Sequence, residues 1–267
     1  MQVSLVLLTW ILGFAEFPLA AALQPPWHAV ARDTEVPAEC KGTKYSKADA
    51  ETFLCGDWRL GPKNAPIKGY EYKVLRCILN GYDRLGGMTA GGLISNFTIN
   101  ENGYWRYPSG DGFTFKTDGK TKDTNTIQLK KDEYVDRFGS EKGFFLAPAG
   151  TLYKERSIPP SNLNIQSATG KKEQNFYAYR VNEPFTVNAG NIAPWFGQPG
   201  GGEQYHTEPS GNIKQLVKTG KLVEVTAKEI WDSGKMKCPS DEVEIVKVPE
   251  PEGPAAPILL PHGGLGR

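Results

Sequence analysis

"NFYAYRVNEPFTVNAG", residues 175–190, reads as strand, turn, strand. Aromatic and β-branched residues flank Asn182-Glu183-Pro184. Working outward, "KLVEVTA" (221–227) alternates as another strand and "DEVEIVKV" (241–248) as one more. Upstream, "DEYVDRFGSEKGFFLAPAGTLYKERSIPP" (132–160) turns tightly around Gly139, Gly143 and Gly150. A polar stretch, "KTDGKTKDTNT" (116–126), reads as a surface loop and a boundary. Residues 80–115, including "GLISNFTI" and "GYWRYP", read as short strands and glycine-rich loops. Ser46-Lys47-Ala48-Asp49 has the form of a capping box, which predicts a short helix running toward Cys55. "YEYKVLRCIL" (70–79) fits a strand or a helix. The fold class is therefore α+β: a compact, strand-rich core, mixed or antiparallel, with short helices.

The 267 residues are 39% hydrophobic and 23% charged, enough for a real core. Thirty-one basic side chains stand against 30 acidic ones, a balance that excludes nucleic-acid binding by charge neutralisation. Thirty glycines and 20 prolines agree with many turns. Residues 3–14, VSLVLLTWILGF, have the length of a signal-peptide apolar region, and Ala20-Ala21-Ala22 offers a cleavage site. No Lys or Arg precedes that run and Glu16 interrupts its end; a signal anchor is the competing reading. The expectation is a secreted protein, extracellular or held at a cell or spore surface. In that compartment Cys40, Cys55, Cys77 and Cys238 pair into two disulfides, with three connectivities open. Asn96-Phe97-Thr98 is a glycosylation sequon at Asn96.

Several chemistries are excluded. The chain has no G-x-S-x-G elbow, no H-E-x-x-H and no phosphate loop of the G-x-x-x-x-G-K-[ST] type. What remains is arginine, glutamine, aromatics and glycine. Arginine's planar fork suits a phosphate or diphosphate, and Phe or Trp faces suit a flat heterocycle. "NIAPWFGQPGGGEQYHT" (191–207) adds a glycine loop whose N–H groups can meet an anion. In it, Trp195 and Phe196 read as hydrophobic footing and His206 as a neighbour of the loop.

Four short motifs occur in series: Asp136-Arg137-Phe138-Gly139, Gly143-Phe144-Phe145-Leu146-Ala147-Pro148, Arg156-Ser157-Ile158-Pro159-Pro160, and Ile192 to Tyr205. In this order and spacing they resemble the tuberculosis necrotizing toxin (TNT) domain and the secreted fungal NAD glycohydrolases that share it. The resemblance spans about residues 130–230. "GGMTAGGLISNFT" and "GYWRYPSGDGF" resemble the N-terminal extension of the fungal enzymes. Together with the signal peptide read at 1–22 and the Pro/Gly-rich tail at 249–267, the resemblance implies a disulfide-stabilised extension at 23–125 and a catalytic domain at 126–248.

The activity implied is cleavage of the nicotinamide N-glycosidic bond of NAD or NADP, with no cofactor needed for the chemistry. The resemblance makes Arg137 and Gln204 catalytic, Gln198 being the alternate glutamine. Phe138 and Phe145 wall the nicotinamide, and Arg156 and Gly201 complete the substrate-binding set. The competing reading of Arg137 is a structural arginine buried against Asp136 or Glu141. Some fungal members are homodimers and bind a structural calcium near the C-terminal end, for which Asp232, Asp241, Glu242 and Glu244 offer oxygen ligands. Two competing functions are a mono-ADP-ribosyltransferase toxin, which needs a catalytic glutamate, a role in which the resemblance does not place Glu203, and a non-catalytic surface or adhesion protein.

Overall fold

The computed structural model describes residues 35–64, 69–99, 103–166 and 173–236. The leader, Cys238, the strand expected at 241–248 and the tail lie outside them. The described chain from Val36 onward forms one compact unit. Its helices are α1 (Gly69–Ile78), α2 (Ala90–Phe97), α3 (Ile213–Lys218) and α4 (Ala227–Asp232). The strands are β1 (Thr98–Ile99), β2 (Tyr104–Trp105), β3 (Thr124–Leu129), β4 (Tyr134–Phe138), β5 (Phe145–Pro148), β6 (Ile165–Gln166), β7 (Glu173–Gln174), β8 (Phe176–Val181), β9 (Phe185–Asn191), β10 (Glu203–His206) and β11 (Leu222–Val225).

Seven strands make one antiparallel sheet in the order β11-β8-β4-β5-β10-β9-β3. The opening stretch is indeed strand, turn, strand, yet β8 and β9 do not pair. Three strands stand between them, a flat separation of about 19 Å. The link from Val181 to Phe185 reaches at most about 14 Å. The sheet must therefore curl until its two ends face one another. The core agrees: Val135, Leu146, Tyr179, Val181, Phe185, Val187, Ala189, Tyr205 and Leu222, from six strands, pack into one cluster that Ile213 and Leu216 of α3 close. Along β9 the buried residues are Phe185, Val187 and Ala189, the period of two that a half-buried strand requires. The other face of β4 and β8 gives Phe138 and Ala178 to a second cluster with α1 and α4.

Two local expectations are corrected. Residues 47–52 form turns, followed by a 3-10 turn at Leu54–Gly56, not a helix. The Ser46 hydroxyl donates to the Asp49 carboxylate at 2.7 Å, and Cys55 turns left-handed at φ 55° to meet Cys40, which stops a helix from propagating. "GLISNFTI" is mostly helix α2. Thr89 caps it, accepting from Gly92 N–H at 3.0 Å, and Ala90, Leu93, Ile94 and Phe97 share one face. That helical spacing was present in the sequence beneath the glycines. The open choice at 70–79 resolves as helix α1.

Cys40 and Cys55 form one disulfide; Cys77 is disulfide-bonded as well. Cys40–Cys55 closes a span of 15 residues, and both cysteines pack with Leu60, Leu93, Trp105 and Phe196. Replacing both by serine is expected to cost about 3 kcal/mol, from loop entropy alone. Chemical denaturation of the double variant checks this; an unchanged midpoint would refute it.

Candidate active site

β4 and β5 pair only at Val135↔Pro148 and Asp136↔Ala147. Beyond that point the strands splay, with Arg137 and Phe138 on one side and Leu146 and Phe145 on the other. The gap is the floor of a cleft of about 1000 Å³, at the upper end for small-molecule sites and large enough for a dinucleotide. Arg137, Phe138, Phe145, Arg156 and Gln204 all line it. Five residues spread over 68 positions of the chain thus meet at one place.

Arg156 anchors the floor. It is 5% exposed, and its Nη2 lies 2.6 Å from Oδ1 of Asp136, which is 0% exposed. Burial pushes the Asp136 carboxyl upward, against the pull of that guanidinium. Asp136 Oδ2 also accepts from Gly150 N–H at 2.9 Å. Arg156 Nε and Nη2 both donate to the Thr151 carbonyl, at 3.0 and 2.8 Å, and its guanidinium lies 5.2 Å from the Phe138 ring centre. None of these bonds uses Nη1.

Arg137 alternates to the other face of β4 from Asp136 and Phe138. Its Nε donates to the Gly139 carbonyl at 3.1 Å, Nη1 to Phe145 at 2.7 Å and Nη2 to Ser140 at 2.6 Å. One side chain therefore holds the whole 139–145 turn while lining the cleft. Asp136 is committed to Arg156, and Glu141 accepts from the Tyr179 hydroxyl at 2.9 Å. The guanidinium lies so close to Gly143 that a Cβ there would fall 2.6 Å from Nη2 and 3.0 Å from Nη1. Three bonds prevent the guanidinium from retreating, so Gly143→Ala is expected to destabilise the protein by about 1–3 kcal/mol. A thermal melt matching the parent would refute this.

Phe145 is partly exposed, and its ring stacks on His206, its cross-strand partner, at 4.8 Å and 15°. Gln204, in β10, is half-buried; its Nε2 donates to the Asp111 carbonyl at 2.9 Å. Asp111 sits between Gly110 and Gly112 with φ 57°, so the segment N-terminal to the sheet fixes how this amide is oriented.

Gln198 and Gly201 stand elsewhere. Gln198 is buried, and its Nε2 donates to the Asp83 carbonyl at 2.6 Å. Gly201 lines a separate cavity of about 460 Å³ with Glu155, Asn191 and Glu203. The N–H groups of Gly200, Gly201 and Gly202 donate to the carbonyls of Lys154, Ile192 and Glu155. The glycines let backbone pack on backbone: a Cβ on Gly200 would lie 2.6 Å from the Ile192 carbonyl oxygen. Phe196 is buried against Phe97, Trp105 and Tyr107, and Trp195 Nε1 donates to the Arg106 carbonyl at 2.7 Å. Both are the footing the sequence pointed to. Asn96 is exposed near the end of α2. Asp232 pairs with Lys228, one turn earlier on α4; Asp241 and Glu242 lie outside the described residues.

The sequence reading missed part of the wall. Phe53, Trp58, Trp105 and Tyr107 line the cleft from the N-terminal section. Trp58 is held out by its neighbours: Asp57 and Arg59 are buried in an ion pair, while Trp58 is 50% exposed. Trp105 Nε1 donates to Ser161 Oγ at 2.8 Å, tying this section to the chain after Arg156. An aromatic between two oppositely charged residues was the available signal.

Residues 128–225 match the model of the tuberculosis necrotizing toxin family. The conidial surface nicotinamide adenine dinucleotide glycohydrolase nadA of Aspergillus fumigatus is 38% identical over 188 residues, 70% of this chain and 75% of that protein. Among solved structures, tuberculosis necrotizing toxin complexed with its immunity factor IFT aligns at 16% identity over 67% of this chain and 83% of that one, with a TM-score of 0.34. Rhs1-CT in complex with its cognate immunity protein aligns over 42% and 84%, at 19% identity and a TM-score of 0.27. The chain belongs to the tuberculosis necrotizing toxin family. The five residues that meet in the cleft all fall within the matched span, whereas Phe53, Trp58, Trp105 and Tyr107 precede it.

Proposed function

We infer that this protein is an NAD glycohydrolase, releasing nicotinamide and ADP-ribose, and that it accepts NADP as well. The observation that carries the reading is the convergence of Arg137, Phe138, Phe145, Arg156 and Gln204 on one dinucleotide-sized cleft in a chain of this family. Nicotinamide is bound to the ribose as a cation, so the C1′–N bond breaks with its electron pair going to the ring nitrogen. No general acid and no redox cofactor is required. The ribose takes on oxocarbenium character, and water adds at C1′ and loses a proton. Phe138 and Phe145 wall the base, keeping bulk water from the departing ring. Arg156, through Nη1, and Arg137 hold the diphosphate, so the ribose is presented in one pose. Gln204 has its Nε2 engaged by Asp111, which leaves Oε1 to accept from a ribose hydroxyl or from the attacking water.

Transfer to a protein acceptor fits less well. Glu203, the acid in the 191–207 segment, accepts from the Tyr205 hydroxyl at 3.0 Å and lines the separate cavity. Among the described residues no helix is long and apolar enough to cross a membrane. The signal-like leader, the cysteines and the surface location in the relative's name support an extracellular or surface enzyme, glycosylated at Asn96. The family resemblance further supports a homodimer and a structural calcium near the C-terminal acids. Chromatographic nicotinamide release from NAD and NADP, with and without calcium, is the test. A purified sample that releases none from either sinks the hydrolase reading. Label passing from NAD to added protein would move the assignment to a transferase.

A further inference from the structure

Ser157 follows the buried arginine of the cleft and carries three unusual features at once. Its backbone is left-handed, with φ 47°, a conformation that costs a non-glycine residue energy. The residue is 4% exposed, yet its Oγ finds no partner among the described residues. A buried hydroxyl left unpaired is a further cost. Ser157 also lines the large cleft.

The surroundings hold this strained residue in place. On one side Arg156 is fixed by the Thr151 carbonyl and by Asp136. On the other, the hydroxyl of the fully buried Tyr153 donates to the Pro159 carbonyl at 2.8 Å, and Pro160 follows. Strain of this kind persists where the fold over-determines it, and it gathers at sites that bind ligands. Glycine would remove the backbone penalty and the unpaired hydroxyl together, yet serine stands here.

We propose that Ser157 is a substrate-binding residue whose hydroxyl donates to the diphosphate of the dinucleotide; this rests on the NAD glycohydrolase reading. The hydroxyl follows directly in the chain the guanidinium whose Nη1 takes no bond among the described residues. A hydroxyl donor next to a cation suits an anionic oxygen. Asn164 Oδ1, also buried without a partner among the described residues and lining the cleft, is an acceptor only. It suits a ribose hydroxyl, not a phosphate, so the two atoms divide the ligand's chemistry between them.

The test is Ser157→Ala, with Ser157→Gly as a second variant that also relieves the backbone. Both are expected to melt at or above the parent temperature, because each removes an unpaired buried hydroxyl. In both, KM for NAD and the inhibition constant of ADP-ribose rise about 10- to 100-fold, the worth of a hydrogen bond to a charged group. The inhibition constant of nicotinamide, which has no phosphate, stays unchanged. Active variants with unaltered ADP-ribose inhibition overturn the proposal. So does a shift confined to nicotinamide, or a lowered melting temperature with ADP-ribose inhibition intact. A parent that hydrolyses no NAD sinks the hydrolase reading instead; ADP-ribose binding by calorimetry, parent against variant, then still decides the diphosphate contact.

Discussion

Arg156→Ala is expected to abolish NAD hydrolysis and to cost about 3–5 kcal/mol of stability. The size of the second effect comes from Asp136. Its carboxylate is fully buried, and once Arg156 is gone Gly150 N–H is the one group among the described residues that still reaches it. Breaking such a pair from one side is far worse than removing it whole. Asp136→Asn combined with Arg156→Met should therefore recover most of the lost stability, because asparagine keeps an acceptor for Gly150 and carries no charge. It should recover none of the activity, since the guanidinium is still missing. A double variant that regains hydrolysis would show Arg156 to be scaffolding only.

The same pair predicts a pH signature. Burial already pushes the Asp136 carboxyl above its ordinary value of 3.8, and losing Arg156 pushes it further. Between the unfolded value and that raised folded value, the native state binds more protons than the unfolded one. Stability arising from this group therefore falls as pH rises through the window. The deficit of Arg156→Ala relative to the parent should be largest at neutral pH and shrink as pH falls toward 4. Denaturation midpoints of both proteins at several pH values decide the matter; a pH-independent gap contradicts the buried-carboxylate account.

How much of this was legible in the sequence depends on how local the signal was. Arg137 and Phe138 end one strand, Phe145 begins the next, and Arg156 follows a glycine turn, so a linear motif could carry them. The strand character of 175–190 was local too. The curl that brings β8 and β9 back within reach of their short link was not, because it depends on β4, β5 and β10 inserting between two neighbours in sequence. The aromatic wall escaped for a related reason. Trp58 and Tyr107 reach the cleft through long-range ties, such as the Trp105–Ser161 bond across 56 residues, that no periodicity encodes. Helix α2 was hidden by composition: its glycines read as loop although Thr89 caps it and its apolar residues fall at helical spacing. The glycine run at 200–202 was suggestive for the wrong reason, since it permits close backbone packing and its N–H groups are already used.

The two glutamines of the 191–207 segment provide the other large effect. Gln204→Ala is expected to lower kcat about 100- to 1000-fold, the scale of losing one oriented polar group at the reacting centre. Stability should change by only about 1 kcal/mol, since what is lost is a neutral bond to the Asp111 carbonyl at a half-buried position. Gln198→Ala should do the reverse. Its amide is buried and holds the Asp83 carbonyl at 2.6 Å, so truncation costs about 1–3 kcal/mol while kcat in the folded fraction stays within about threefold. Six positions separate these residues, and sequence alone could not say which faced the ribose. The fold separates them by placing Gln204 on β10 beside the splayed β5 and Gln198 in a turn closed by the Trp195–Gln198 bridge. Stability and kcat measured on both variants therefore form a crossed pair. If Gln198→Ala loses turnover while Gln204→Ala keeps it, the oriented amide is Gln198, and Asp111 has no part in aiming it.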